Sequence, residues 1–190
     1  MSWTLEETLP GRLACLASEN PNNIGLREKK FGIWQEITWA EYLANTAATG
    51  RMLRNLGIEK GDHIAILSDN CPEWLYADLG AQGIGARSAG IYQTNPPEDV
   101  AYVLNHSRVK VLFCEDQEQV DKALAIQAVT PTVSHVVVFD PRGLRHVEDE
   151  RLMAWSDFIA EGRRLMSEEP EWFVDQLKEL DPDAPSMVVY

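Results

Sequence analysis

The chain has 190 residues, of which 45% are hydrophobic, enough to bury one core and to form one domain or slightly more. Its 17 basic and 30 acidic residues give a net charge of −13. This excess of acid argues against nucleic acid and anionic membrane surfaces as partners, because phosphate binding requires clustered Lys and Arg.

The predicted elements begin with a short helix over about residues 5–18 and two strand-like pieces, Ile24–Lys29 and Gly32–Ile37. A polar turn at Lys29-Lys30 would join these two pieces into a hairpin. The next helix starts at Thr38 with a capping box, in which Glu41 reaches back to the amide of Thr38. Apolar residues then recur at helical spacing until Gly57, which favours a left-handed stop.

Four apolar runs follow, and the first three each lead into a helical pattern: Ile64–Leu67, Ala89–Tyr92, Val109–Cys114 and His135–Phe139. Strands that are apolar along their whole length and alternate with helices indicate a parallel sheet covered on both faces. The fold class is therefore α/β, with a small N-terminal hairpin. The helix after the second run is expected to have Asn95 as its cap and Pro96 at its first position.

The last third of the chain is predicted to be mostly helical. Residues 140–149 read as a loop, helices are expected near 155–167 and 170–180, and a final strand is expected within 183–190. By composition the chain divides into three segments: helix, hairpin and helix over 1–60, βα repeats over 61–140, and an acidic helical segment with the final strand over 141–190.

Three cysteines, Cys15, Cys71 and Cys114, lack CxxC spacing, which favours free thiols in a reducing compartment over disulfides or a metal site. The segment 1–6 has no charged start followed by an apolar core, so we expect no signal peptide. No apolar run approaches the roughly 18 residues of a membrane span. We therefore expect a soluble, cytoplasmic protein.

Two further patterns suggest ligand sites but lack the necessary context. The glycines of Gly80–Gly85 close a helix and lead into a strand, whereas a nucleotide loop follows a strand and opens a helix. Helix termination and close packing explain them better. His146–Glu150 contains metal-ligand residue types in a row, but neighbouring residues on a loop do not converge on an ion, and no metal site is predicted.

Polar residues after two of the apolar runs are the candidate substrate-pocket residues. Ser68, Asp69 and Asn70 follow one strand, and Tyr92, Gln93 and Thr94 follow the next. In open α/β sheets, ligands bind beyond the carboxyl ends of the strands. The alternative is that these residues only cap helices and form turns. None is paired with a base or a metal, so we expect them to shape a pocket and not to catalyse.

The order of several motifs resembles that of the adenylate-forming, or AMP-binding, enzymes, and in particular the long-chain acyl-CoA synthetases. Residues 61–74, GDHIAILSDNCPEW, are similar to the family pattern GDxVAIxSxNxPEW. Residues 85–115 are similar to the block GAxxxGIYxTNxPExxxYxLxxSxxxVxFxE, with Arg87 at a position that is usually apolar or small. The helix start over 37–42, ITWAEY, also fits the family.

This resemblance implies a reaction in two steps, with ATP, Mg²⁺ and coenzyme A as cofactors and a fatty acid as substrate. A fatty carboxylate would form an acyl-adenylate with release of pyrophosphate, and coenzyme A would then displace AMP. The family's phosphate-binding loop, [ST]-S-G-[ST]-T-G-x-P-K-G, follows a strand that resembles the segment ending at Tyr190. That loop and the C-terminal lid are absent from the sequence, so no catalytic or cofactor-binding residue is assigned.

From this resemblance we expect an incomplete N-terminal domain over 1–190 that is inactive alone and self-associates through an exposed apolar surface. The alternative is a stand-alone, non-catalytic α/β binding or interaction module. A flavodoxin-like signalling domain is disfavoured, because no phospho-acceptor Asp with a Lys at a later strand end is evident.

Overall fold

The computed structural model describes residues 4–190. Met1–Trp3, on which the expectation of no signal peptide partly rests, lie outside the described residues. The chain opens with a 3-10 turn and then forms helix α1, hairpin strands β1 and β2, and helix α2, with these bounds: Leu5–Glu7, Leu9–Glu19, Ile24–Lys30, Ile33–Thr38 and Trp39–Asn55. No helix within 4–190 is both long and apolar enough to cross a bilayer.

The rest of the chain alternates strands with helices. The strands β3 to β8 are His63–Leu67, Arg87–Ile91, Val111–Cys114, His135–Val138, Leu152–Ala154 and Met187–Val188. The helices α3 to α7 are Pro72–Gly83, Pro97–His106, Gln117–Ala125, Trp155–Glu168 and Trp172–Lys178, and a 3-10 turn over Gln127–Val129 follows α5.

The strands β3 to β8 form one six-stranded sheet in the order β7-β6-β5-β3-β4-β8, and every neighbouring pair is parallel. The chain leaves β3 toward β4, crosses back to β5 on the other side of β3, and continues outward. This reversal creates a switch point between β3 and β5, the place where α/β sheets bind ligands. The predicted two-faced parallel sheet is confirmed.

The two faces of the sheet carry separate cores, and alternate residues of each strand contribute to them. Ala65 and Leu67 face a core covered by α4 and α5, whereas Ile64 and Ile66 face one covered by α2, α3 and α6. Phe113 on β5 is fully buried in the second core. This division explains why the central strands are apolar along their whole length.

Glycines allow the helices on the second face to pack closely. A Cβ on Gly80 would lie 3.0 Å from the backbone of both Thr46 and Gly50 on α2. A Cβ on Gly83 would lie 2.3 Å from the ring of Phe173 on α7. The Gly80–Gly85 segment therefore serves helix packing and helix termination, as the sequence indicated.

The N-terminal half confirms two local predictions and corrects a third. The capping box at α2 is present, with Thr38 N–H donating to Glu41 Oε2 at 2.8 Å and Glu41 N–H donating to Thr38 Oγ1 at 3.2 Å. Gly57 has φ of +81°. The predicted turn at Lys29-Lys30 is wrong, because both lysines belong to β1 and the two-residue turn is Phe31-Gly32.

Three further boundaries differ from those predicted. Helix α4 starts at Pro97 with Pro96 as its cap, one residue later than expected, because the two prolines extend the preceding loop. Strand β7, three residues long, was not predicted. Strand β8 is limited to Met187–Val188, shorter than the expected final strand, since only Ser88 and Ala89 of β4 pair with it.

Candidate functional site

The candidate site lies at the carboxyl edge of the sheet, where the loops after β3 and β4 meet. Ser68 is buried directly beyond β3, whereas Asp69 and Asn70 are exposed. The Ser68 hydroxyl donates to the carbonyl of Asp69 at 2.7 Å and lies 3.7 Å from the Cys71 sulfur. These contacts fold the loop into a tight turn that ends where Pro72 begins α3.

Glu115, the first residue after β5, fixes this loop from the other side of the switch point. Its carboxylate accepts the backbone N–H of Asp69 at 2.7 Å, and its own N–H donates to the carbonyl of Leu67 at 3.1 Å. Glu115 was not among the sequence candidates. Only the strand order, which places β5 beside β3, identifies it.

A cleft of about 340 Å³ brings most of the predicted residues together. Ser68, Asp69, Asn70 and Tyr92 line it, together with Trp74, Gly90, Ile91 and residues 187–190. Tyr92 is 77% exposed, so its ring stands at the mouth of this cleft.

Tyr190 lines the cleft on the β8 side and is held there by contacts with α4. The Tyr190 hydroxyl lies 2.7 Å from Nδ1 of His106 and 2.5 Å from Oγ of Ser107, both at the end of α4. Its ring meets Tyr102 edge-on, at a centroid distance of 6.2 Å. These contacts anchor the chain beside β4 as it leaves β8.

Gln93 and Thr94 do not line the cleft. The carbonyl of Gln93 accepts a hydrogen bond from the Lys122 ammonium, which also pairs with Glu118 at 3.3 Å. Thr94 lies exposed in the turn that the N–H of Asn95 closes onto the carbonyl of Tyr92. In this structure the two residues serve the turn between β4 and α4.

The loop after β3 carries a hydroxyl and a thiol: Ser68 lines the cleft, and Cys71 follows it in the same loop but lies outside the cleft. Burial raises the pKa of the Cys71 thiol to about 11, although hydrogen bonds with Trp74 and Ser68 lower it in part. The thiol is therefore neutral at physiological pH and a poor nucleophile. The Ser68 hydroxyl is engaged with its own loop. Across residues 4–190 no group of three His, Cys, Asp or Glu side chains is placed to hold a metal ion.

A larger apolar cavity lies elsewhere on the molecule. It has a volume of about 830 Å³ and lies between α1, α2 and the α6–α7 region, with Ala14, Leu43, Ala47 and Phe173 in its wall. It shares no lining residue with the cleft at the carboxyl edge.

Comparison with known proteins gives a consistent family. A family model described as "AMP-binding enzyme" matches residues 16–190. The chain is 35% identical over 104 residues to the long-chain-fatty-acid–CoA ligase heimdall of Drosophila melanogaster, a match that covers 55% of this chain and 15% of that protein. It is 33% identical over 121 residues to the uncharacterized protein Rv1549 of Mycobacterium tuberculosis, covering 64% and 66% of the two chains.

A solved structure with the same fold is the anthranilate CoA ligase AuaEII in complex with anthranoyl-AMP. The two superpose with a TM-score of 0.70 at 22% identity, over 83% of this chain and 27% of that one. The match therefore covers a small part of the length of both ligases, and about two thirds of the length of the mycobacterial relative.

Proposed function

Because this chain belongs to the AMP-binding enzyme family, we propose that it is the first part of an ATP-dependent long-chain fatty-acid–CoA ligase. The names of several relatives support this substrate class, since matched ligases from the fruit fly and from cattle are both long-chain-fatty-acid–CoA ligases.

The proposed reaction activates a carboxylate that is otherwise a poor acyl donor. A carboxylate oxygen of the fatty acid attacks the α-phosphorus of ATP, the bond to the β-phosphate breaks, and pyrophosphate leaves. Mg²⁺, when bound, would offset the negative charge of the phosphates. The thiol of coenzyme A then loses its proton and attacks the acyl carbon. The bond to AMP breaks, giving the thioester and AMP.

The observation that carries this proposal is the position of β8. This strand lies parallel to β4, so the chain leaving it enters the same edge of the sheet as the Ser68–Asn70 loop and Tyr92. A phosphate-binding loop placed after such a strand would close over the cleft. We propose that Ser68, Asp69, Asn70 and Tyr92 form the wall of that pocket, and that Glu115 positions the loop carrying the first three.

We further propose that the 190 residues do not turn over alone, because the sequence contains no Ser/Thr/Gly-rich loop with a Lys to bind the phosphates of ATP. The test is AMP release in the presence of ATP, Mg²⁺, a long-chain fatty acid and coenzyme A. We expect no release above the protein-free control. Fatty-acid-dependent release at the rate of an intact ligase would refute this.

A second test addresses the cleft in the product of the longest open reading frame that contains this chain. Asn70→Ala and Tyr92→Ala should raise the KM for fatty acid or ATP more than they lower kcat, because they alter a binding wall. Thr94→Ala is the matched control, since Thr94 lies on the same edge but outside the cleft. Equal effects of all three variants would contradict the assignment.

The exposed edge of the sheet supports a proposal about assembly. Strand β8 ends the sheet, and Met187, Val189 and Tyr190 there are 39%, 83% and 44% exposed. Unpaired edge strands with apolar side chains tend to pair with another chain. We propose that the isolated chain self-associates through this edge. A concentration-independent monomer in gel filtration would count against it. We also propose that the protein is cytoplasmic.

A stand-alone binding or interaction module is the alternative. The mycobacterial relative of comparable length favours it. The coding sequence beyond Tyr190 separates the two functions: a Ser/Thr/Gly-rich loop with a Lys supports the ligase, and a stop codon supports the module.

A further inference from the structure

The tip of the β1–β2 hairpin contains an aromatic residue that neither the turn nor packing explains. The two turn residues, Phe31 and Gly32, have φ of +51° and +81°. Turns of this kind favour Asn, Asp or Gly at both positions, because side chains branching from a positive-φ backbone are crowded. Phe31 is nevertheless present, and its side chain is 87% exposed. A residue that violates a local preference without burying surface indicates a binding role.

The residues beside the turn extend this apolar tip and surround it with positive charge. Ile33 and Trp34 are 66% and 60% exposed, and they pair across the hairpin with Lys30 and Lys29 respectively. Because successive strand residues point to opposite faces, each face of the tip carries one lysine opposite one apolar side chain. The tip of the hairpin is therefore an exposed apolar surface flanked by two lysines.

Two ion pairs lie near the tip, and neither includes Lys29 or Lys30. Arg27 bonds Glu36 at 3.1 Å, and Arg142 forms a close ion pair with Asp140. Arg142 lowers the pKa of Asp140 most, and the charge of Lys30 lowers it further. Within 4–190 no carboxylate oxygen lies within 4.0 Å of the Lys29 or Lys30 ammonium. Glu28 is half-buried below them. The positive charge of the two lysines is therefore available to a ligand.

The base of the hairpin is anchored, so the tip projects on a rigid support. Leu26 and Ile37 pack against a core cluster that includes Tyr42 and Tyr76. A Cβ on Gly25 would lie 2.9 Å from the ring of Trp39, so the start of β1 packs closely against the start of α2.

We propose that this hairpin tip docks the protein on an anionic phospholipid bilayer. Phe31, Ile33 and Trp34 enter the boundary between headgroups and acyl chains, where aromatic side chains are favoured, and the lysines contact lipid phosphates. The net charge of −13 argued against anionic surfaces. At physiological ionic strength, however, screening over about 8 Å leaves mainly the charges at the contact to act.

Docking in this way would also orient the candidate site. Lys29 and Trp34 line a cavity of about 600 Å³ together with Asn70 and Cys71 of the loop after β3. The hairpin therefore lies beside the carboxyl edge of the sheet, so docking through it would bring that edge close to the membrane. The docking surface goes beyond the proposed ligase function and does not depend on it.

The test is cosedimentation of the 190-residue chain with phosphatidylcholine vesicles that contain or lack phosphatidylserine. Phe31→Asn creates an Asn-Gly turn, which suits the backbone, so the variant should fold at least as stably as the parent while its binding falls by about tenfold or more. Lys29→Gln with Lys30→Gln should remove the dependence on phosphatidylserine. Val129→Ser, at a 58% exposed apolar residue after α5, is the matched control and should bind like the parent.

Loss of binding in Phe31→Asn, with unchanged circular dichroism and thermal midpoint, supports the proposal. It is overturned if the parent binds neither kind of vesicle, or if Phe31→Asn binds as tightly as the parent. A parent that fails to bind vesicles but forms a dimer that Phe31→Asn abolishes would overturn it in favour of a second copy of the chain.

Discussion

Replacing Gly83 with alanine should destabilise the fold, because the position where α3 ends has no room for a methyl group. The new Cβ would lie 2.3 Å from Cζ and 2.5 Å from Cε2 of Phe173, and 3.4 Å from Cδ2 of Leu177. Carbon atoms in contact prefer a separation of about 3.5–4.0 Å, so the ring must retreat by more than about 1 Å. Phe173 and Leu177 are 1% and 0% exposed, so neither can move into solvent.

Overpacking of this kind costs about 1–3 kcal/mol. The gain in helix propensity from Gly to Ala, at most about 1 kcal/mol, offsets part of that, and less at a helix terminus such as Gly83. We therefore expect a net loss of about 1–2 kcal/mol in the free energy of unfolding, measured by urea denaturation.

A double-mutant cycle identifies the cause. Phe173→Leu removes the ring atoms that meet the new methyl group, so Gly83→Ala should cost less in that background, with a coupling energy of at least about 0.5 kcal/mol. Strictly additive effects, or a stabilising Gly83→Ala, would refute the close packing of Phe173 on Gly83.

Three further predictions concern a cap, a thiol and a buried acid. Thr38→Ala should cost about 1 kcal/mol of stability in urea denaturation, whereas Thr38→Ser should retain most of it; equal losses would contradict the cap. Iodoacetamide should label Cys71 about a hundredfold more slowly than a free thiol near neutral pH, since its pKa is about 11, and rapid labelling in mass spectrometry would exclude this. Burial raises the pKa of Asp78 in the folded state. As the pH rises, the unfolded state therefore loses this proton at a lower pH than the folded state does. The fold loses stability between the ordinary carboxyl pKa and the raised pKa of Asp78. Asp78→Asn should therefore raise the thermal midpoint at about pH 7 and leave it similar at about pH 4, and a midpoint lowered at neutral pH would contradict the sign.

The central sheet could be predicted from sequence because its strands face two cores. A run such as Ile64–Leu67, with no polar residue, is typical of a strand buried on both sides, and the structure divides its residues between the two clusters. The capping box at Thr38 and the stop at Gly57 are equally local, and both were found.

The features that sequence reasoning missed depend on tertiary context. The turn was placed at Lys29-Lys30 because this pair is polar and lies between two strand-like pieces, whereas the observed turn has Phe31 at positive φ, a residue type that gives no turn signal. Strand β7 is three residues long and half-buried at the sheet edge, too short for a periodic signal. Glu115 lies at the site because β5 is the neighbour of β3 in the sheet, and a single sequence does not reveal this strand order.

The most direct test of the ligase proposal is fatty-acid-dependent AMP release, measured for the 190-residue chain and for the product of the longest open reading frame that contains it. We expect no release from the 190-residue chain, and release from the longer product that requires ATP, Mg²⁺, fatty acid and coenzyme A together. Turnover by the 190-residue chain, or a reading frame that continues past Tyr190 and yields a folded but inactive protein, would contradict this proposal.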